Sequence, residues 1–193
     1  MRRLRCGAPL AALVVIGAAA CGGATSTSPS GEAEPARERP STHGLPANLA
    51  ENVSQADTIV GDGRDDFRAR LRRLRGVPVV VNQWASWCES CRFEFPFFEQ
   101  ATTKFRSQVA FVGLDSQDKR DAAEDFMREF ATGFPSIFDE DASVAQSLGG
   151  GRSWPMTFYF DSDGKQVHTR IGAYATAEQL EADIRRFALG EAP

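Results

Sequence analysis

Cysteine and histidine are scarce in this chain of 193 residues, which holds four of the first and two of the second. Cys6 lies in a short basic leader and Cys21 ends an apolar run, so only Cys88 and Cys91 belong to the part that can fold. No other cysteine there can pair with them or complete a four-cysteine zinc site. His43 sits in a polar linker and His168 in an expected strand, and the two are not spaced as a ligand pair. Neither a metal site nor a cofactor is expected. A membrane-spanning run is also missing: the apolar stretch Leu10 to Ala20 falls well short of the roughly 20 residues that cross a bilayer. A basic footprint is missing too. Without the three arginines of the first 20 residues, 19 basic residues face 26 acidic ones, a formal net of −7. That excludes the usual nucleic-acid-binding surface. No internal repeat is evident, and residues from about 45 to 190 suit one domain with one core.

What is present begins with a leader. Met1-Arg2-Arg3-Leu4-Arg5 is a basic start, and Leu10 to Ala20 has the length of a secretory apolar region. It ends in Ala18-Ala19-Ala20-Cys21-Gly22, which resembles a bacterial lipoprotein signal, although Ala18 stands where leucine is more usual. That resemblance implies lipidation of Cys21 and a membrane anchor. Ordinary cleavage after the alanines, giving a secreted protein, is the competing reading. Both place the domain outside the cytoplasm, where disulfides persist. Gly22 to Gly44 is rich in Gly, Ser, Thr, Pro and Glu and has no apolar periodicity, so it is expected to be a disordered tether. The expected partition is a leader over 1–20, a tether over 21–44 and a folded domain over 45–193.

Trp87-Cys88-Glu89-Ser90-Cys91 follows an apolar run and precedes a helical pattern. Two cysteines at this spacing on a helix start can cycle between dithiol and disulfide. The helix N-terminus favours a thiolate on the first of them, and the thiolate is the nucleophile of disulfide exchange. A static clip is the alternative, but closing so short a loop adds little stability. Glu89 opposes thiolate formation by its charge, and Ser90 can hydrogen-bond the sulfur.

Around the pair, the pattern predicts an amphipathic helix over 65–75, with Phe67, Leu71 and Leu74 as its stripe and Arg68, Arg70, Arg72, Arg73 and Arg75 as a solvated face. It predicts strands over 77–83 and 109–115, a helix over 88–105 that Pro96 bends, and a helix over 119–130. A short strand over 136–138, a short helix over 142–148, a hairpin of 156–160 and 166–171 about Asp161 to Gly164, and a last helix over 176–189 complete the chain. The order gives a three-layer α/β fold. The two early strands are expected to be parallel, and the hairpin adds antiparallel ones.

Asn82-Gln83-Trp84-Ala85-Ser86-Trp87-Cys88, with Cys91, Arg92, Glu94 and Pro96, closely resembles the active-site strand and helix of the thioredoxin superfamily. More narrowly, it is similar to the membrane-tethered thiol-disulfide oxidoreductases of the TlpA/ResA type. Val112 to Asp115, Trp154 to Phe158 and Asp161 to Gly164 resemble the next strand, the cis-proline loop and the hairpin turn. The resemblance covers about 45–189. It implies a central mixed sheet flanked by helices, with an extra strand and helix within 116–151, ahead of the hairpin.

The resemblance also implies roles. Cys88 is the exposed nucleophile, Cys91 resolves the mixed disulfide, and Pro155 is cis and shapes a substrate groove with Trp87 and Trp154. Backbone groups of Trp154 are expected to pair with an extended substrate segment. Asn82 replaces the buried aspartate of thioredoxin, so another group must serve the proton traffic of Cys91. Glu94, about one helical turn past Cys91, is the candidate; a solvated helix carboxylate is the plainer reading. Trp84 is expected in the core. The implied function is protein disulfide reduction outside the cytoplasm. The resemblance suggests oxidised apocytochrome c as substrate, a membrane thiol carrier as electron donor and a monomer as the working state. A disulfide oxidase is the nearest alternative. A metal-delivery module would need His168 beside the cysteines, and a peroxidase of the peroxiredoxin type would need a threonine and a cysteine in a different local arrangement.

Overall fold

Ala47–Ser54 (α1) opens the described part of the chain, which in this computed structural model comprises residues 40–192. The leader, Cys21 and the tether as far as residue 39 lie outside the described residues. Next come Ile59–Asp62 (β1), Gly63–Arg73 (α2), Val79–Trp84 (β2), Glu89–Phe105 (α3) and Ala110–Ser116 (β3). Arg120–Glu129 (α4), Ser136–Asp139 (β4), Ser143–Ser147 (α5), Met156–Phe160 (β5), Gln166–Ile171 (β6) and Ala177–Asp183 (α6) follow. The last helix widens into a π turn over Ile184–Ala188, with Leu189 N–H bonded to the Ile184 carbonyl at 3.0 Å.

The six strands form one sheet in the order β1-β4-β3-β2-β5-β6. The four from β1 to β2 run parallel, and β5 and β6 add on antiparallel, with Val81 opposite Val112 on one side and Phe158 on the other. β2 and β3 are buried at every position, as continuous apolar strands covered on both faces should be. Alternation then sorts their side chains. Val80, Trp84, Phe111 and Tyr159 face a layer holding Phe95, Phe98 and Phe105 of α3 with Phe126 and Leu180. Val79, Val81, Val112, Leu114 and Phe158 face Leu49, Phe67 and Val144 on the other side. Each such fully buried apolar side chain contributes about 1.5–3 kcal/mol.

Glycine is required at Gly113. A Cβ there would collide with Ser136 Oγ and the Trp84 indole, which meet across β3 in a 3.1 Å hydrogen bond. Trp84 is thereby fixed in the core, as expected.

Three expectations are corrected. Arg70 is not on a solvated face: it is buried, and its guanidinium donates to Asn52 Oδ1 at 3.3 Å and Gln55 Oε1 at 2.5 Å. The final helix does not stay α-helical to its end. Two elements, α1 and β1, are additional; β1 is a four-residue edge strand beside β4, too short to show alternation. The expected strand and helix within 116–151 are β4 and α5, preceded by α4.

Candidate active site

β2 ends at Trp84, and after three intervening residues Cys88 is the N-cap of α3. Cys88 Sγ accepts the Cys91 N–H at 3.1 Å, and the two cysteines are joined as a disulfide. An N-cap sulfur receives one of the helix's unpaired donors and sits at the positive end of its dipole. The same N–H is available to a thiolate after reduction.

The short loop before the helix is held from several directions. Ser86 donates its N–H and its hydroxyl to Asp118, the latter at 2.9 Å. Arg92 Nη2 donates to the Ser86 carbonyl at 2.9 Å, and its guanidinium lies over Phe126. Trp87 Nε1 donates to the Gln117 carbonyl at 2.9 Å. The segment after β3 therefore props the redox loop.

Trp154 and Pro155 approach from the other side of the sheet order, just before β5. Their peptide bond is cis, as the resemblance implied. The Trp154 ring packs on Trp87 with centroids 5.2 Å apart. Ser90 Oγ lies 3.5 Å from Cys88 Sγ and donates to the Trp154 carbonyl at 3.4 Å, tying the sulfur to the cis-proline loop. Cys88 itself is only 4 % exposed, whereas Trp87 is 56 % exposed. The expectation of an exposed sulfur is thus corrected: the tryptophan, and not the cysteine, is the outward feature. Cys91 is fully buried.

Glu94 is fully buried as well, which rules out a solvated helix carboxylate. It lies on the inner stripe of α3 with Cys91, Phe95 and Phe98. Asn82 Nδ2 donates to its Oε1 at 2.8 Å and the Tyr174 N–H to its Oε2 at 3.0 Å. Burial raises its pKa to about 7, against the lowering effect of those hydrogen bonds and of Arg170. A second buried acid, Asp115, lies near the end of β3 opposite Trp84. Neither of its oxygens accepts a hydrogen bond. Burial, and then the neighbouring carboxylate of Asp118, push it up to about 9.

His168 pairs with Tyr159 across the hairpin and stacks on Phe187 at 3.6 Å, so its imidazole is engaged by an aromatic ring. Asp118, Asp115 and Tyr174 are site residues that sequence reasoning missed. Each comes from a segment distant in sequence, and none carries a local pattern. The covered face of α3 did carry a signal, because Glu94 is three residues past Cys91 and four before Phe98.

Residues 54–169 match the AhpC/TSA family. The chain belongs to that family. Among curated relatives, the thiol-disulfide oxidoreductase ResA of Bacillus thuringiensis (strain Al Hakam) is 30% identical over 133 residues, which is 68% of this chain and 76% of that one. The thiol:disulfide interchange protein DsbE of Pseudomonas fluorescens biotype C is 37% identical over 92 residues, covering 47% of this chain and 49% of that one. A solved structure from Chlorobium tepidum, assigned as a thiol:disulfide interchange protein DsbE, is similar with a TM-score of 0.55 and 28% identity. It covers 59% of this chain and 82% of its own. The family member described here is an enzyme of the thiol-disulfide oxidoreductase class, of the ResA/DsbE type and with a thioredoxin-like fold.

Proposed function

We propose that the protein is a disulfide reductase working outside the cytoplasm. The observation that carries this reading is the set of charges around the Cys88–Cys91 pair. Glu89 adjoins Cys88 in sequence, Glu94 lies on the stripe of Cys91, and Asp118 holds Ser86. Arg92, the nearest basic residue in sequence, directs its guanidinium to the Ser86 carbonyl and to Phe126. Acidic surroundings oppose a stabilised thiolate. A dithiol whose reduced form is not stabilised is oxidised more readily, and so reduces others. The single N–H on Cys88 Sγ acts in the opposite sense and is what favours an oxidase.

In this mechanism Cys88 thiolate attacks one sulfur of a substrate disulfide. A mixed disulfide forms, and the other substrate sulfur leaves as a thiolate and takes a proton. Glu94 accepts the proton of Cys91, whose thiolate attacks Cys88 Sγ. The Cys88–Cys91 disulfide forms and the second substrate thiol departs. Two electrons have passed to the substrate, and a membrane thiol carrier returns them. Trp87, Trp154 and Pro155 line the groove for an extended segment carrying the cysteine. Oxidised apocytochrome c, whose C-x-x-C-H cysteines must be reduced before haem attachment, is the substrate that the resemblance suggests. Residues 1–20 serve as a signal, Cys21 as the lipid attachment site, residues 21–44 as the tether and 45–193 as the catalytic domain, acting as a monomer.

The test is stoichiometric. Reduced protein is mixed with an oxidised C-x-x-C-H peptide, and both are weighed after acid quenching. Transfer of two hydrogens to the peptide supports a reductase. A peptide left oxidised, together with oxidation of reduced peptide by the disulfide form, would assign the oxidase.

A further inference from the structure

Glu94 is held by a residue whose other contacts lead to the surface. Tyr174 gives Glu94 its backbone N–H. The Tyr174 ring lies under the Arg170 guanidinium, 4.2 Å from its centroid. The Tyr174 hydroxyl donates to Asp183 Oδ2 at 2.9 Å and meets the Tyr159 hydroxyl at 2.5 Å. Asp183 in turn faces Arg170 Nη1 at 3.6 Å. β6, the loop after it, α6 and β5 thus converge on one side of the carboxylate, with Asn82 of β2 on the other. Tyr159 and Tyr174 remain neutral there, because burial raises both hydroxyls well above their ordinary range. Arg170 packs on Tyr174 and adds a cation's attraction to Glu94, the smallest of the influences on that carboxylate, and its Nε is buried without a hydrogen-bond partner.

We propose that Arg170, clamped over Tyr174 by Asp183, is a positioning residue of the redox site: it fixes the residue that holds Glu94 and adds a positive charge on that side of the carboxylate. This rests on the role given to Glu94 above. Asp183 has a second effect, since a carboxylate beside the guanidinium offsets part of the charge that Glu94 feels. The side chain of Arg170 is a third exposed, so salt screens the interaction in part.

The test uses the full chain with isotope-labelled glutamate carboxyls, the Glu94 signal being assigned with Glu94→Gln. The same samples give the pH dependence of Cys88 alkylation in the reduced state. Arg170→Met removes the charge and keeps the stem. Arg170→Gln does the same with a polar head and guards against a folding defect, and Arg170→Lys restores the charge. The expected result is a Glu94 midpoint raised by a few tenths of a pH unit in the Met and Gln variants and returned toward the native value by Lys. A midpoint unmoved in both neutral variants would overturn the proposal. A midpoint that moves while the alkylation profile stays fixed would uphold the link from Arg170 to Glu94 and would instead overturn the role of Glu94 at the thiols.

Discussion

Asn82 Nδ2 donates to Glu94 Oε1 at 2.8 Å, in the layer between β2 and α3. A neutral amide on the strand thus faces a buried acid on the helix, and only the helix partner can titrate. With its pKa raised to about 7, Glu94 changes charge in the range where exchange must operate. Glu94→Gln is expected to remove an inflection near neutral pH from the alkylation profile of the reduced protein. A profile identical to the native one would show that Glu94 does not govern the thiols.

The same group makes stability depend on pH. Its folded-state pKa is raised from 4.5 to about 7, so the folded protein holds a proton that the unfolded chain releases. Stability is fully present below the unfolded value and falls as pH rises toward about 7, by about 3 kcal/mol. Urea denaturation at several pH values should show this decline, and Glu94→Gln should flatten that part of it.

Asp115 supplies a second, larger case of the same sign. Both of its oxygens are buried and accept no hydrogen bond, and burial with the adjacent Asp118 carboxylate pushes its pKa to about 9. Asp115→Asn is expected to stabilise the protein at pH 8 by on the order of 2 kcal/mol or more, with little effect near pH 4. Thermal unfolding at the two pH values checks this; a loss of stability at pH 8 would mean that the carboxylate is needed as an ion.

The two cysteines should behave unequally. Cys88→Ala is expected to abolish exchange, because the helix N-cap sulfur is gone. Cys91→Ala is expected to accumulate mixed disulfides with substrate, visible as mass adducts that a reductant removes. Full exchange by Cys88→Ala would contradict the assigned roles.

Trp154 packs on the exposed Trp87 while its carbonyl receives Ser90. Trp154→Ala keeps that carbonyl and removes the ring. KM for a protein or peptide disulfide should rise about tenfold, with the rate toward a small disulfide reagent unchanged. Equal losses toward both would point to a disturbed redox loop instead of a lost contact.

The order of elements from β2 onward was legible because β2, α3 and β3 carry strong apolar patterns, and the Asp161 to Gly164 turn marks the hairpin. The Cys88–Cys91 pair and the cis bond before Pro155 were legible through local motifs. What escaped was either short or assembled from afar. β1 is a four-residue edge strand, and Arg70 looked solvated because its partners Asn52 and Gln55 lie in and after α1, which the pattern did not reveal. The loop carrying Trp154 reaches Cys88 through Ser90, 64 residues away, and the environment of Glu94 depends on Tyr174, 80 residues away. Neither relationship has a sequence signature.

Whether this dithiol reduces its partners is decided by the equilibrium reduction potential of the Cys88–Cys91 pair. A reductase has a value near or below about −250 mV, on the thioredoxin side of the scale. A value near about −120 mV, where the reduced form is the stabilised one, would contradict the proposed reduction and assign an oxidase.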